Sequence, residues 1–263
     1  MSLRETPLLS RFAPFLGAAV LVLFAAPAVA HFQEILPSAD VLPEGGTVTL
    51  DLTFTHPFEG GPVMEMARPA AVGMLAGGVK TDLSAALTEA PKDGKSAWTL
   101  RADLPEPGAA VFWVTPEPYW EPAEGKYIVH HAKVVVDSWA SGAGWDAMVG
   151  LPVEIRPLTR PTGLWAGNAF SGVVMKAGAP LPFAEVEVEL VNTLQLAAPN
   201  EAFITQVITA DANGTFSYTM PFAGWWGFAA LTEADTPMRS PDGREAPVEE
   251  GALIWVRATA PGP

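Results

Sequence analysis

The 263-residue chain contains no cysteine. That excludes disulfide staples, thiolate metal sites and a lipid anchor on cysteine, so stability must come from buried apolar area and rigid prolines. Basic residues are also scarce: 15 Lys plus Arg against 29 Asp plus Glu give a formal charge of −14. A surface of that sign repels nucleic acid and anionic lipid and attracts cations. The sequence has no H-E-x-x-H, no G-x-S-x-G and no phosphate loop. Gly142-Ala143-Gly144-Trp145-Asp146-Ala147 loosely matches a dinucleotide fingerprint, but an all-β chain offers no following helix for it to serve, so it reads as a turn.

What is present starts at the amino end. Arg4 and Arg11 precede an apolar run from Phe12 to Ala30 that closes on Ala28-Val29-Ala30, the small-x-small pattern of a secretory cleavage site. Pro14 and Pro27 interrupt the run and no basic stop-transfer cluster follows it, so residues 1–30 are expected to be a cleaved signal peptide, leaving a periplasmic protein without a membrane span. Loss of Arg4, Arg11 and Glu5 with the leader moves the formal charge from −14 to −15. His31 then becomes the first residue. Its α-amine titrates near ~8, so freeing that lone pair at neutral pH costs about 1 kcal/mol or less. Amine and imidazole of one residue can grip one metal ion in a closed chelate ring.

Twenty-six prolines and 24 glycines punctuate the chain without forming a low-complexity tract. Between them lie short β-rich runs, which predict an all-β protein. Thr47–Thr55 alternates Val48, Leu50, Leu52 and Phe54 with Thr or Asp, a half-buried strand whose parity carries His56 to the core side. Further strands are expected at residues 99–102, 109–115, 127–136, 171–176, 184–191, 203–210, 215–220 and 252–257, with a looser stretch at 81–88. In 184–191 the alternation puts Val186, Val188 and Leu190 inward and Glu185, Glu187 and Glu189 outward. Asp211-Ala212-Asn213-Gly214 predicts a tight hairpin turn. Arg156–Pro161 is the linker candidate. The expected organisation is two tandem Ig-like or transthyretin-like β-sandwich domains, 31–157 holding metal and 158–263 as an accessory module.

All four histidines, His31, His56, His130 and His131, fall in the first of these units. Nitrogen donors without thiolates suit borderline divalent ions such as Ni²⁺, Co²⁺, Cu²⁺ or Zn²⁺. His130 and His131 are strand neighbours and must point to opposite faces. His130 shares parity with Ile128, Val134 and Val136, which makes it the inward ligand beside His56, and His131 is expected at the surface. Residue three of the exported chain would be Gln33, not histidine, so the site must be completed from distant segments. Glu34, Glu65, Glu117 and Glu121 are candidate oxygen ligands or orienting acceptors. Trp120 is a candidate lid.

His31-Phe32-Gln33, Thr55-His56-Pro57, Pro118-Tyr119-Trp120-Glu121-Pro122-Ala123-Glu124, Ile128-Val129-His130, Gly167-Asn168 and Gly224-Trp225-Trp226-Gly227-Phe228 resemble the DUF4198 family of exported proteins. More closely, they resemble the NikK-type periplasmic component that accompanies energy-coupling-factor nickel transporters. The resemblance covers essentially the whole mature chain. It implies extracytoplasmic nickel or cobalt handling without catalysis, with His31, His56 and His130 at the family's histidine positions and the membrane components of the uptake transporter as partners. Where the family strand reads I-[IV]-H-Y-T-K, this chain has His131 and Ala132 in place of the aromatic and the threonine, which opens an auxiliary role for His131.

The sequence therefore predicts a periplasmic protein that captures Ni²⁺, or Co²⁺, through His31, His56 and His130 and passes it to a membrane transporter. A periplasmic Cu²⁺ carrier is the first alternative, because an amine-imidazole chelate intrinsically prefers Cu²⁺. A copper-oxidising enzyme with a similar chelate and a non-metal Ig-like interaction module are the others.

Overall fold

The computed structural model describes residues 31–262; the expected signal peptide lies outside the described residues. The alternation seen in the sequence becomes strands β1 (Phe32–Pro37), β2 (Gly46–Thr55), β3 (Ala71–Ala76), β4 (Val79–Asp82), β5 (Trp98–Leu104), β6 (Gly108–Thr115), β7 (Tyr119–Glu121) and β8 (Lys126–Ser138). The later part forms β9 (Val153–Pro157), β10 (Ala169–Lys176), β11 (Glu185–Leu190), β12 (Gln206–Thr209), β13 (Thr215–Thr219), β14 (Gly224–Glu233) and β15 (Val248–Thr259). The protein is all-β, of Ig-like sandwich type. The looser stretch at 81–88 contains a short 3-10 turn, Ser84–Ala86. Among the described residues no helix is long and apolar enough to cross a membrane.

One long sheet, in the order β12-β11-β14-β15-β8-β6-β3-β4, is the backbone of the molecule. β1, β2 and β5 form a smaller sheet over one part of it, and β9, β10 and β13 form another over a second part. The first pair of layers encloses Phe32, Leu50, Leu52, Phe112 and Val134; the second encloses Ile155, Phe170, Val188 and Phe228. Each of these side chains, fully removed from water, contributes about 1.5–3 kcal/mol.

β15 faces both cores. Leu253 and Trp255 belong to the first, Ala252, Ile254 and Val256 to the second. This double burial explains why residues 252–256 read as an unbroken apolar run with no polar face. β15 pairs in parallel with β8 and antiparallel with β14, so strands distant in sequence meet at the centre of the sheet. Arg156 and Pro157, read as the start of a linker, lie in β9, and Ile155 beside them is in the second core.

The Asp211–Gly214 turn forms, with the Asp211 carboxylate accepting from the amides of Asn213 and Thr215 at 2.8 Å each. It does not close a hairpin. β12 pairs with β11 and β13 with β10, in different sheets. Each flanking strand is claimed by a different layer of the sandwich, and the turn carries the chain from one to the other.

Candidate metal centre

His31 and His56 are brought together by strand register. β1 and β2 run antiparallel with Phe32 opposite Thr55 and Gln33 opposite Phe54, so the next pair outward is residue 31 against residue 56. Their rings meet edge to face, with centroids 4.8 Å apart. Phe54, two residues before His56 on the core-facing parity, stacks on His31 at 5.6 Å and stands edge-on to His130 at 6.3 Å. One benzyl ring thus links His31 and His130, 99 positions apart in the chain, and His56 joins them through its contact with His31.

His130 comes from β8 and is 2% exposed. Its Nε2 lies 3.0 Å from Glu249 Oε1 on β15, while the other Glu249 oxygen accepts from Lys126 Nζ at 2.5 Å. Burial acts to raise the Glu249 carboxyl, but the His130 hydrogen bond and the Lys126 ammonium hold it down at about 2. An ionised carboxylate only accepts. A neutral His130 therefore carries its proton on Nε2, leaving a lone pair on Nδ1, and that Nδ1 is buried without a partner. A carboxylate that orients the outer nitrogen of an imidazole is the usual arrangement behind a metal-ligating histidine.

The same logic applies at His31. Its Nε2 faces Glu121 Oε2 at 3.3 Å, which leaves Nδ1, the nitrogen nearer its own backbone amine, for a chelate. Burial first, and the neighbouring His56 second, lower the His31 imidazole below its ordinary value, so it is neutral at pH 7, the form that ligates. His56 is buried, and neither ring nitrogen has a hydrogen-bond partner; Glu59 Oε2 lies 3.4 Å from Nδ1 without hydrogen-bond geometry. Leaving such atoms unpaired costs about 1–3 kcal/mol each. The donor set fits a borderline divalent cation. The shell is open, however: among the described residues no three His, Asp or Glu side chains already stand as a set able to hold a metal ion.

The carboxylates proposed from sequence divide. Glu121 reaches His31, whereas Glu34 is buried and accepts the Thr53 hydroxyl, and Glu65 accepts the Ser96 amide at 3.3 Å. Glu65 and Glu117 line a cleft beside His130, together with Tyr119 and Trp120. Trp120 packs on Tyr127, centroids 5.0 Å apart. His131 corrects the expectation of a surface residue: it is 4% exposed, on the opposite face of β8, with Nδ1 3.0 Å from the Thr115 hydroxyl and Nε2 3.4 Å from Glu250. That face is covered by a small third cluster of Leu75, Val111, Val135 and Val149, which the β8 alternation alone does not reveal. Glu249 escaped sequence reasoning, since only the parallel β8–β15 pairing brings it to His130.

Fold and site together define an all-β sandwich protein with a buried histidine cluster at the end of β1, β2 and β8. The family model described as a domain of unknown function, DUF4198, matches residues 28–234, and the chain belongs to this family. No curated protein matches the sequence. Among solved structures, it is similar to the adhesin InvE of Yersinia pseudotuberculosis, at 15% identity over 84% of this chain and 58% of that one, with a TM-score of 0.24. It is also similar to latent PorU of Porphyromonas gingivalis, at 10% identity over 94% and 22% of the respective chains, TM-score 0.24. A mutant Salmonella alpha-2-macroglobulin gives 13% identity over 92% and 16%, TM-score 0.24. The chain spans less than two thirds of the length of these three proteins.

Proposed function

We propose that this protein is exported to the periplasm, begins at His31 after cleavage, and captures Ni²⁺ or Co²⁺ for delivery to a membrane uptake transporter. His31 supplies amine and Nδ1, His130 supplies Nδ1, and His56 supplies a ring nitrogen. Water or Glu121 fills the remaining positions. The protein acts by binding and exchange, not by turnover. The observation that carries this reading is that Phe54 packs on both His31 and His130 and His31 packs on His56, while buried ring nitrogens of His56 and His130 have no hydrogen-bond partner.

The open shell suits a carrier. A preformed rigid cage would hold its ion too long, whereas a chain terminus can swing away as a partner offers its own ligands. The decisive test is calorimetric titration of the exported chain with Ni²⁺, Co²⁺ and Cu²⁺, beside mass spectrometry of its first residue. One equivalent bound, with affinity reduced at least tenfold in each of His31→Ala, His56→Ala and His130→Ala, is the expected result. A chain starting elsewhere, or Ni²⁺ affinity indifferent to all three substitutions, overturns the reading.

A further inference from the structure

Leu190 and Trp226 are opposite each other where β11 ends and β14 begins, and both are buried in the second core. The loop that leaves β11 lines a cleft with them. Phe58, Leu190, Ile204 and Trp226 form its apolar walls, and Phe203 and Phe222 stand at its rim. Hydrogen bonds brace both sides. The Asn192 amide donates to the Leu196 carbonyl at 2.9 Å and accepts from the Leu196 amide at 2.8 Å, while the Trp226 indole donates to the Phe222 carbonyl at 3.0 Å. Phe203 is 53% exposed and Phe222 45%. Aromatic rings left half in water around an apolar hollow are what a receptor for a buried anchor side chain presents before its partner arrives.

The surface next to this cleft has the opposite character. Ile204 also lines a neighbouring hollow whose walls carry Glu59, Glu185, Glu187, Glu189 and Glu201 and no lysine or arginine. Val207, 54% exposed, lies opposite Glu187 in the ladder between β11 and β12. An apolar anchor site and a negative field thus adjoin along residues 201–207. The sign of that field selects the occupant. A second copy of this chain, with its formal charge of −14, and an anionic lipid surface are both repelled, whereas a cationic protein segment is drawn in.

We infer that this face docks a basic segment of a partner protein, which seats one large apolar side chain in the cleft rimmed by Phe203 and Phe222 and turns a nearby lysine or arginine to the glutamates. The docking goes beyond the capture reading and needs no metal ion. It does have a definite place relative to the candidate metal centre. Phe58 is two residues from His56, and the Asn192 amide donates to the Pro57 carbonyl at 3.3 Å. The docked segment therefore lies beside the histidine cluster.

The test selects displayed random dodecapeptides against the exported chain and measures the enriched sequences as free peptides by fluorescence anisotropy and NMR. Enriched sequences should place Trp, Phe or Leu within about three positions of a lysine or arginine, a reach of about 10 Å in extended chain. They should shift the amide signals of residues 58, 196–206 and 222–226 first and bind severalfold more weakly as salt is raised. Phe203→Ser/Phe222→Ser should weaken the peptide at least tenfold, and Glu185→Gln/Glu201→Gln severalfold; all four side chains are exposed, so neither pair tests folding instead. No enrichment, enriched peptides without a basic residue, shifts elsewhere, or affinities that ignore both pairs overturn the inference. So does self-association, or binding to phosphatidylglycerol vesicles, that Phe203→Ser/Phe222→Ser abolishes. Ni²⁺ affinity should be the same in Phe203→Ser/Phe222→Ser as in the unsubstituted chain, so failure of the capture site is read separately, from the histidine variants.

Discussion

Gly251 stands opposite His130 in the parallel ladder between β8 and β15, and a Cβ at position 251 would lie 2.5 Å from His130 Cδ2. The absence of a side chain at 251 is therefore what lets the imidazole lie flat against the neighbouring strand with its Nε2 on Glu249. Gly251→Ala should displace the ring, cost about 1–3 kcal/mol of stability through overpacking, and weaken Ni²⁺ binding at least tenfold. Thermal melting and calorimetry on the same sample separate the two effects. A folded variant with unaltered Ni²⁺ affinity would remove His130 from the ligand set.

Extending the exported chain by one residue ahead of His31 converts the amine into an amide while leaving every imidazole in place. An amide nitrogen keeps its proton at neutral pH and does not ligate in its place. Ni²⁺ affinity should fall at least tenfold with no change in melting temperature beyond a degree or two, measured on chains with and without the extra residue. Equal affinities would mean that the imidazoles act without the terminus.

His130 and His131 offer an internal control. They are adjacent, both buried, and on opposite faces of β8. His131→Ala removes contacts to Thr115 and Glu250 and should cost about 1–3 kcal/mol of stability, while leaving Ni²⁺ affinity within threefold. His130→Ala should do the reverse in emphasis, losing Ni²⁺ binding. Titration of the pair tests whether the site faces the first core.

Glu189 predicts a pH effect with a definite sign. Its folded carboxyl titrates at about 7, above the ordinary carboxylate value, chiefly because of burial. The folded state therefore binds this proton more tightly than the unfolded one. The stabilisation is complete below the unfolded value and is lost as pH rises through about 7. Glu189→Gln carries no such charge, so its melting temperature relative to the unsubstituted protein should rise between pH 5 and pH 8. The linked free energy is at most about 3 kcal/mol, equivalent to several degrees for a chain of this size. A difference that is flat with pH would show that Glu189 titrates normally.

On the outer face of β8, Lys133 and Glu154 form an ion pair at 2.7 Å with both side chains 1% exposed. Glu154 is also held by the amides of Val149, Gly150 and Leu151 at 2.7–3.2 Å. The two partners are not equivalent. Glu154→Ala strands a buried ammonium and three amide donors, and should cost about 3–5 kcal/mol. Lys133→Met leaves a carboxylate that still accepts three hydrogen bonds and should cost less. The order of the two melting temperatures checks the assignment.

The strands with clean alternation were readable in advance, because one buried face imposes period two. Val48, Leu50, Leu52 and Phe54 lie inward as their spacing requires, and Val186, Val188 and Leu190 do the same. β1 shows no alternation in the sequence: Phe32, Gln33, Glu34 and Ile35 are all buried, so its polar residues mark no solvent face. Gln33 and Glu34 are accommodated by hydrogen bonds to the Thr53 carbonyl and from the Thr53 hydroxyl, partners that only the folded register supplies. Glu249 and Gly251 were invisible for a related reason. They act through a parallel pairing across 119 and 121 positions, and nothing local in the sequence distinguishes such a glutamate or glycine from any other. Glu185, Glu187 and Glu189 keep to one face as the alternation predicts, and Glu185 is exposed, but Glu189 at the far end is buried, because alternation reports sidedness and not what covers the side.

β15 ties segments far apart in the sequence together. It carries Glu249 and Gly251 beside His130, and its Trp255 indole donates to the Gln33 carbonyl, two residues from His31. Loss of this strand would therefore leave the His130 imidazole without the carboxylate and the flat neighbour that orient it, and β1 without the indole that ties it down.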